Sequence, residues 1–218
     1  MFSRSYLILL VLVFNGVGLC DDKSEISKPL IPFALGNSWT YEATRTDANG
    51  DKKRTFPITN RVVAARLFKQ NGKWETWYHF RDFEMYYWVK DKAPGLVEGY
   101  VDFHLEDFKE EIKDGETWDT LPTIEEEVPF LYYPCQVGKK WKLYDGEEGD
   151  PPTTMELFAK DVTIKCDAGT YPCLQYRMRY KEGFDDYYIS PGVGIVKFTV
   201  EDDKEKTQYL LKSYQLQK

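Results

Sequence analysis

Histidine is nearly absent from this 218-residue chain, which holds only His79 and His104. No His-x-x-x-His pair can form, which argues against a zinc site of ordinary spacing. No Gly-x-Ser-x-Gly elbow is present, so the usual strand-to-helix serine nucleophile has no template. After residue 20 the serines are Ser24, Ser27, Ser38, Ser190 and Ser213. Only Ser190 has a notable context, ahead of Pro191-Gly192-Val193-Gly194. That run reads as a strand-ending turn, in which proline fixes φ and Gly192 and Gly194 allow the return. Basic residues are outnumbered, with 29 Lys and Arg against 36 Asp and Glu and a net charge of −7. Such a balance argues against nucleic acid, which needs a basic face, and against adhesion to anionic headgroups. Long apolar runs are missing as well. Leu7–Phe14 is unbroken but well short of the roughly 20 residues a spanning helix requires.

That short run has a meaning of its own. Arg4 precedes it, the small-residue stretch Asn15–Cys20 follows, and charge begins at Asp21. A basic start, an apolar middle and a small-residue end make residues 1–20 a secretory signal peptide. Gly18 and Cys20 occupy the −3 and −1 positions for cleavage before Asp21. The alternative is a lipid-anchored form in which Cys20 becomes the first residue, although Leu19 fits the lipidation signal poorly. Either way the chain is exported to a periplasmic or extracellular location, where a disulfide is permitted.

What is abundant is aromatic: 16 Tyr, 13 Phe and 6 Trp. Such residues suit pleated, half-buried sheets. Residues 21–31 read as a flexible lead-in, and 32–218 as a single β-rich domain with two possible halves, 32–130 and 131–218. From Pro32 onward the apolar pattern has period two, broken by turn residues. Asp47–Asp51 separates strands near Ser38–Thr46 and Arg54–Phe68. Asn71-Gly72 marks a hairpin into Trp74–Phe83. Met85–Val89 and Leu96–Leu105 follow. Glu106–Pro129 is acidic, broken by proline, and reads as an irregular crossing segment with one helical turn around Asp107–Ile112. Strands resume at Lys139–Tyr144. Met155, Leu157 and Ala159 then share a parity that Val162, Ile164 and Cys166 reverse, which predicts a β-bulge at Lys160-Asp161. Thr170–Lys181, Asp186–Ile189, Ile195–Val200 and Gln208–Leu216 complete the sheet. The expected architecture is mainly β: a curved antiparallel sheet or half-barrel with few helices.

One motif occurs twice. Pro32-Phe33-Ala34-Leu35-Gly36-Asn37-Ser38-Trp39 matches Pro134-Cys135-Gln136-Val137-Gly138-Lys139-Lys140-Trp141 in proline, an aliphatic residue, glycine and tryptophan. Gly36 and Gly138 would permit a tight turn, and Trp39 and Trp141 would enter the core as equivalent anchors.

Chemistry is harder to find. Glu125–Glu127, Glu147-Glu148, Asp185-Asp186 and Glu201–Asp203 are carboxylate runs, and such runs ordinarily face water. A carboxylate-dependent hydrolase would need two of them roughly 5–10 Å apart across a cleft. Asp145–Asp150 lacks the spacing of an EF-hand. No metal, cofactor or catalytic residue is assigned. Trp74, Trp77, Tyr86 and Trp88 fall in an aromatic run that could offer a binding face for a carbohydrate or an apolar ligand. Cys166 and Cys173 flank the turn Asp167-Ala168-Gly169 and are candidates for a disulfide, with Cys135 the rival partner.

The stretches "PFALGNSWTYE", "VGKKWKLY", "DAGTYPCLQYR" and "YYISPGVGIVKF" resemble a group of secreted bacterial proteins common in the planctomycetes. The resemblance implies an exported protein and a fold similar to the lipoprotein-localisation factors, an open half-barrel with a covering helix that carries acyl chains. Together these readings describe a non-catalytic envelope protein, with a lipid, a carbohydrate or an envelope protein as its partner. A structural subunit without ligand and a hydrolase are the alternatives.

Overall fold

The computed structural model describes residues 28–47, 50–70, 72–83, 85–92, 95–100, 126–146, 149–202 and 205–217. These form twelve strands: β1 Ser38–Asp47, β2 Lys52–Gln70, β3 Lys73–Asp82, β4 Met85–Lys92, β5 Gly95–Tyr100, β6 Glu126–Tyr132, β7 Lys140–Tyr144, β8 Thr153–Cys166, β9 Gly169–Tyr180, β10 Gly183–Ser190, β11 Gly194–Asp202 and β12 Glu205–Gln215. All belong to one antiparallel sheet in the order β6-β5-β4-β3-β2-β1-β12-β11-β10-β9-β8-β7. No helix occurs among the described residues.

The order joins two six-stranded meanders, β1–β6 and β7–β12, through the β1–β12 ladder. Each meander opens in the same way. Gly36 N–H bonds Val62 O, and Val62 N–H bonds Asn37 O; in the second copy Gly138 N–H bonds Leu157 O, and Leu157 N–H bonds Lys139 O. Gly36 and Gly138 have φ of +89° and +85°, a region that side chains disfavour, which explains glycine at both turns. The likeness runs well beyond the eight-residue motif. The register shifts between Val62 and Ala64 against β3, and between Leu157 and Ala159 against β9. Ala64 then faces His79, which faces Trp88, just as Ala159 faces Gln175, which faces Tyr188.

The two junctions between the meanders differ. β12 and β1 are hydrogen-bonded along their length, but β6 and β7 are the two free edges of the sheet. The sheet curls enough to bring those edges together without a ladder. Trp141 Nε1 donates to Pro129 O at 3.0 Å, and Tyr176 Oη donates to Tyr132 O at 2.9 Å, which pins the seam. Prolines sit where a strand has one neighbour only. Pro129 is on edge strand β6, Pro57 lies beyond the reach of β3, and Pro172 lies beyond the reach of β10. A proline there costs no ladder bond.

The principal core fills the concave side with Trp39, Tyr41, Val62, Phe80, Leu131, Met155, Leu157, Tyr176, Ile189, Val196 and Leu211. An aromatic cluster packs within it: Phe83 stacks on Phe198 at 4.6 Å, and tilted contacts join Phe83 to Tyr209 at 4.4 Å and Tyr187 to Phe198 at 4.5 Å. The bulge read from the parity flip is present, with Asp161 at φ +58° and a register shift between Ala159 and Val162.

Three expectations are corrected, and others lie outside the described residues. Pro129 lies within strand β6, not in an irregular segment. The supposed helical turn at Asp107–Ile112, His104 and the end of the strand read at Leu96–Leu105 lie outside the described residues. Cys135, Cys166 and Cys173 are all free thiols. The turn is only Asp167-Ala168, so Cys166 faces Gly169 while Cys173 faces Val162. Four residues of ladder, about 13 Å at the usual rise, separate the two cysteines, far beyond disulfide reach. Alkylation of the denatured protein without reductant is expected to label all three of these thiols; a linked peptide pair in the digest would contradict this. Finally, Trp39 and Trp141 open equivalent strands but are not equally buried. Trp39 is 1% exposed, whereas Trp141 is only partly buried because it sits on edge strand β7.

Candidate functional site

The segment before β1 is an arm fixed at three points. Leu30 and Ile31 enter the core. Gly192 N–H, from the turn between β10 and β11, donates to Pro29 O at 2.7 Å. Buried Asn37 donates from Nδ2 to Pro32 O and accepts the Gln217 N–H at Oδ1, both at 2.7 Å, which ties the arm to the chain's last described residue. This arm packs against the second half of β3. Phe33 stacks on Tyr78 at 6.0 Å and 20° and meets Phe80 edge-on at 5.5 Å.

Between arm and strand lies a groove of about 660 Å³. Its apolar lining comes from Pro29, Pro32, Phe33, Ala34 and Tyr78, and its polar lining from Asn37, Glu75, Thr76, Lys90 and Gln217. The volume suits a small ligand, for which pockets span roughly 300–1,000 Å³.

The alternation of β3 sends two sets of side chains to opposite faces. Trp74, Thr76 and Tyr78 share the face toward the arm. Glu75, Trp77 and His79 share the other, where they meet Phe68 of β2 and Trp88 of β4. That second face carries its own buried cluster. Phe68 meets Trp88 edge-on at 4.9 Å, and His79 stacks on Trp88 at 4.7 Å. Lys90, itself 5% exposed, bonds Glu75 Oε2 and, at 2.7 Å, Glu127 Oε1. Its Nζ lies 4.4 Å over the Trp77 ring. A buried ammonium needs such compensation: two carboxylates and a ring face replace its lost hydration. Burial also holds His79 neutral, with its pKa lowered from 6.5 to about 4.

The four aromatic candidates are therefore not one surface. Trp77 and Trp88 are buried on the face of β3 turned away from the arm. Trp74 is 46% exposed on the opposite face, in line with Tyr78. Tyr86 lies on β4, and its side chain is outside the described residues. The groove residues that sequence reasoning missed, Phe33, Glu75, Lys90 and Gln217, come from distant parts of the chain. The one local signal is the period-two alternation that places Glu75 with Trp77 and His79.

The carboxylates Asp185 and Asp186 were expected in water, but both are buried. Neighbours in a strand, they point to opposite faces and cannot act as a catalytic pair. Asp186 accepts both Nε and Nη2 of Arg177 at 2.7 Å, and the guanidinium is held between Phe158 and Phe184 at 4.2 and 4.3 Å. Asp185 accepts Tyr180 Oη at 3.0 Å, and burial raises its pKa from 3.8 to about 6. No group of three or more potential metal ligands occurs among the described residues.

No protein-family model matches this sequence, and no curated protein does. Among solved structures, the chain is similar to a candidate exported protein of Bacteroides fragilis with a YmcC-like fold. That pair aligns at a TM-score of 0.44 and 13% identity, over 87% of this chain and 100% of the other. It is also similar to a candidate lipoprotein of Parabacteroides distasonis, at a TM-score of 0.41 and 13% identity, over 86% of this chain and 99% of the other.

Proposed function

We propose that this chain is an exported, non-catalytic protein that binds a carbohydrate in the groove between the N-terminal arm and β3. The leader at residues 1–20 supports export. The observation that carries the binding reading is the groove itself: the stacked Phe33 and Tyr78 beside Glu75, Thr76 and Gln217. A sugar ring presents an apolar face and a hydroxyl rim, which matches an aromatic floor with polar edges. An acyl chain fits less well. It needs a continuous apolar channel, and the concave side of this sheet is filled by its own aromatic rings. Binding is favoured over catalysis because Lys90 is already committed to two carboxylates and Asp185 and Asp186 face apart.

Ligand-observed NMR against a panel of neutral disaccharides tests this. At least one is expected to bind, and Tyr78→Ala is expected to weaken it roughly ten-fold or more while leaving the thermal transition cooperative. Binding of palmitate with no disaccharide bound, or disaccharide binding indifferent to Tyr78→Ala, would overturn it.

A further inference from the structure

The groove ends at Thr76, but the face it occupies does not. Trp74 is the next residue on that face of β3, and Leu67 of β2 pairs with Thr76 beside it. Both are exposed, Trp74 at 46% and Leu67 at 44%. We infer that Trp74 is an outer platform of the same site, so that the ligand is an oligosaccharide lying along β3 from Tyr78 to Trp74. This rests on the carbohydrate reading above.

The spacing carries the inference. Four residues of strand place Trp74 about 13 Å from Tyr78 at the usual rise, with Thr76 between them. No single sugar ring spans that distance, whereas a short chain does. The surface alternates ring, hydroxyl, ring, and the Gln217 amide also lines the groove. A glycan alternates in the same sense, with ring faces to stack and hydroxyls to bond. A hydrocarbon would leave the Thr76 hydroxyl and its neighbours without partners, which costs binding energy.

Isothermal titration with β-linked gluco-oligosaccharides from disaccharide to hexasaccharide, against the wild type, Trp74→Ala and Tyr78→Ala, separates the two readings. Wild-type affinity is expected to rise roughly ten-fold or more as the chain becomes long enough to reach the outer ring. Trp74→Ala is expected to abolish that rise while leaving the disaccharide affinity unchanged. Tyr78→Ala is expected to weaken every length. If Trp74→Ala binds the hexasaccharide as tightly as the wild type, or if affinity does not grow with length, the outer platform is refuted and the groove stands. If Tyr78→Ala changes nothing, the groove itself is refuted.

Discussion

Trp39→Ala is expected to cost about 3–5 kcal/mol, the range for removing a fully buried large aromatic side chain. The indole is 1% exposed, meets Phe80 edge-on at 5.8 Å, and donates from Nε1 to Val193 O at 2.5 Å. Truncation therefore leaves a cavity under the turn between β10 and β11, and also strands a carbonyl. It further loosens a close packing, since a Cβ built on Gly194 would lie only 3.1 Å from Nε1. Trp141→Ala should cost less, about 1–3 kcal/mol, because that ring is partly hydrated and its bond to Pro129 O spans a seam with no ladder. Trp39→Phe keeps most of the volume and should lose about 1 kcal/mol more than a pure packing change, for the missing bond. Urea denaturation gives all three values. A Trp39→Ala midpoint equal to that of the wild type, or a larger loss for Trp141→Ala, would contradict the ordering.

Asp185→Asn is expected to stabilise the protein at neutral pH by about 3 kcal/mol. Burial is the main reason its carboxyl titrates near pH 6 and not at 3.8; the charge of Asp186 adds to the rise, and the Tyr180 hydroxyl opposes it. A raised carboxyl pKa means that the fold prefers the neutral form. The group's contribution is therefore complete below about pH 3.8 and is lost as pH rises through about 6. A rise from 3.8 to about 6 corresponds to about 3 kcal/mol, since each tenfold change in the protonation equilibrium is worth about 1.4 kcal/mol. An amide keeps the shape and still accepts the Tyr180 hydroxyl. His79 has the reverse sign: its pKa falls from 6.5 to about 4, so its stability is complete above 6.5 and is lost as pH falls through about 4. In the wild type the two groups offset each other over that window. In Asp185→Asn the histidine acts without that offset, and stability should fall by about 3 kcal/mol between pH 6.5 and 4 relative to the wild-type curve. Urea titrations of both proteins across that range check this. Parallel curves for wild type and variant would show that Asp185 is not titrating as its burial requires.

Local structure was readable from the sequence where a short-range signal existed. The strands followed from period-two alternation, the hairpin from Asn71-Gly72, and the bulge from the parity change across Lys160-Asp161. The repeated turn was readable because Gly36 and Gly138 each need positive φ. Unequal burial of Trp39 and Trp141 was not, because which strand becomes an edge depends on how the whole sheet curls. Pairing of Cys166 with Cys173 required a wide loop, whereas the two-residue turn Asp167-Ala168 puts Cys166 opposite Gly169 and leaves Cys173 four residues further along the ladder. The acidic pair at Asp185-Asp186 looked like surface because charge runs usually are, but strand alternation buries one on each face and supplies Arg177 and Tyr180 as partners. The groove was the least legible feature. Phe33, Glu75, Lys90 and Gln217 meet only after the arm has crossed β3, and no local pattern encodes that crossing.

The joining of β1 to β12 also has a consequence in time. The first of the described strands must wait for the last before one of its two edges is satisfied. Throughout synthesis, β1 presents an open row of amides and carbonyls beside Trp39 and Tyr41, a template for any stray extended chain. Closing that row joins residues more than 150 positions apart, so it is a slow step for entropic reasons. The protein is thus most exposed to aggregation while it is unfinished, and a holding chaperone would have a defined segment, Ser38–Asp47, to shield.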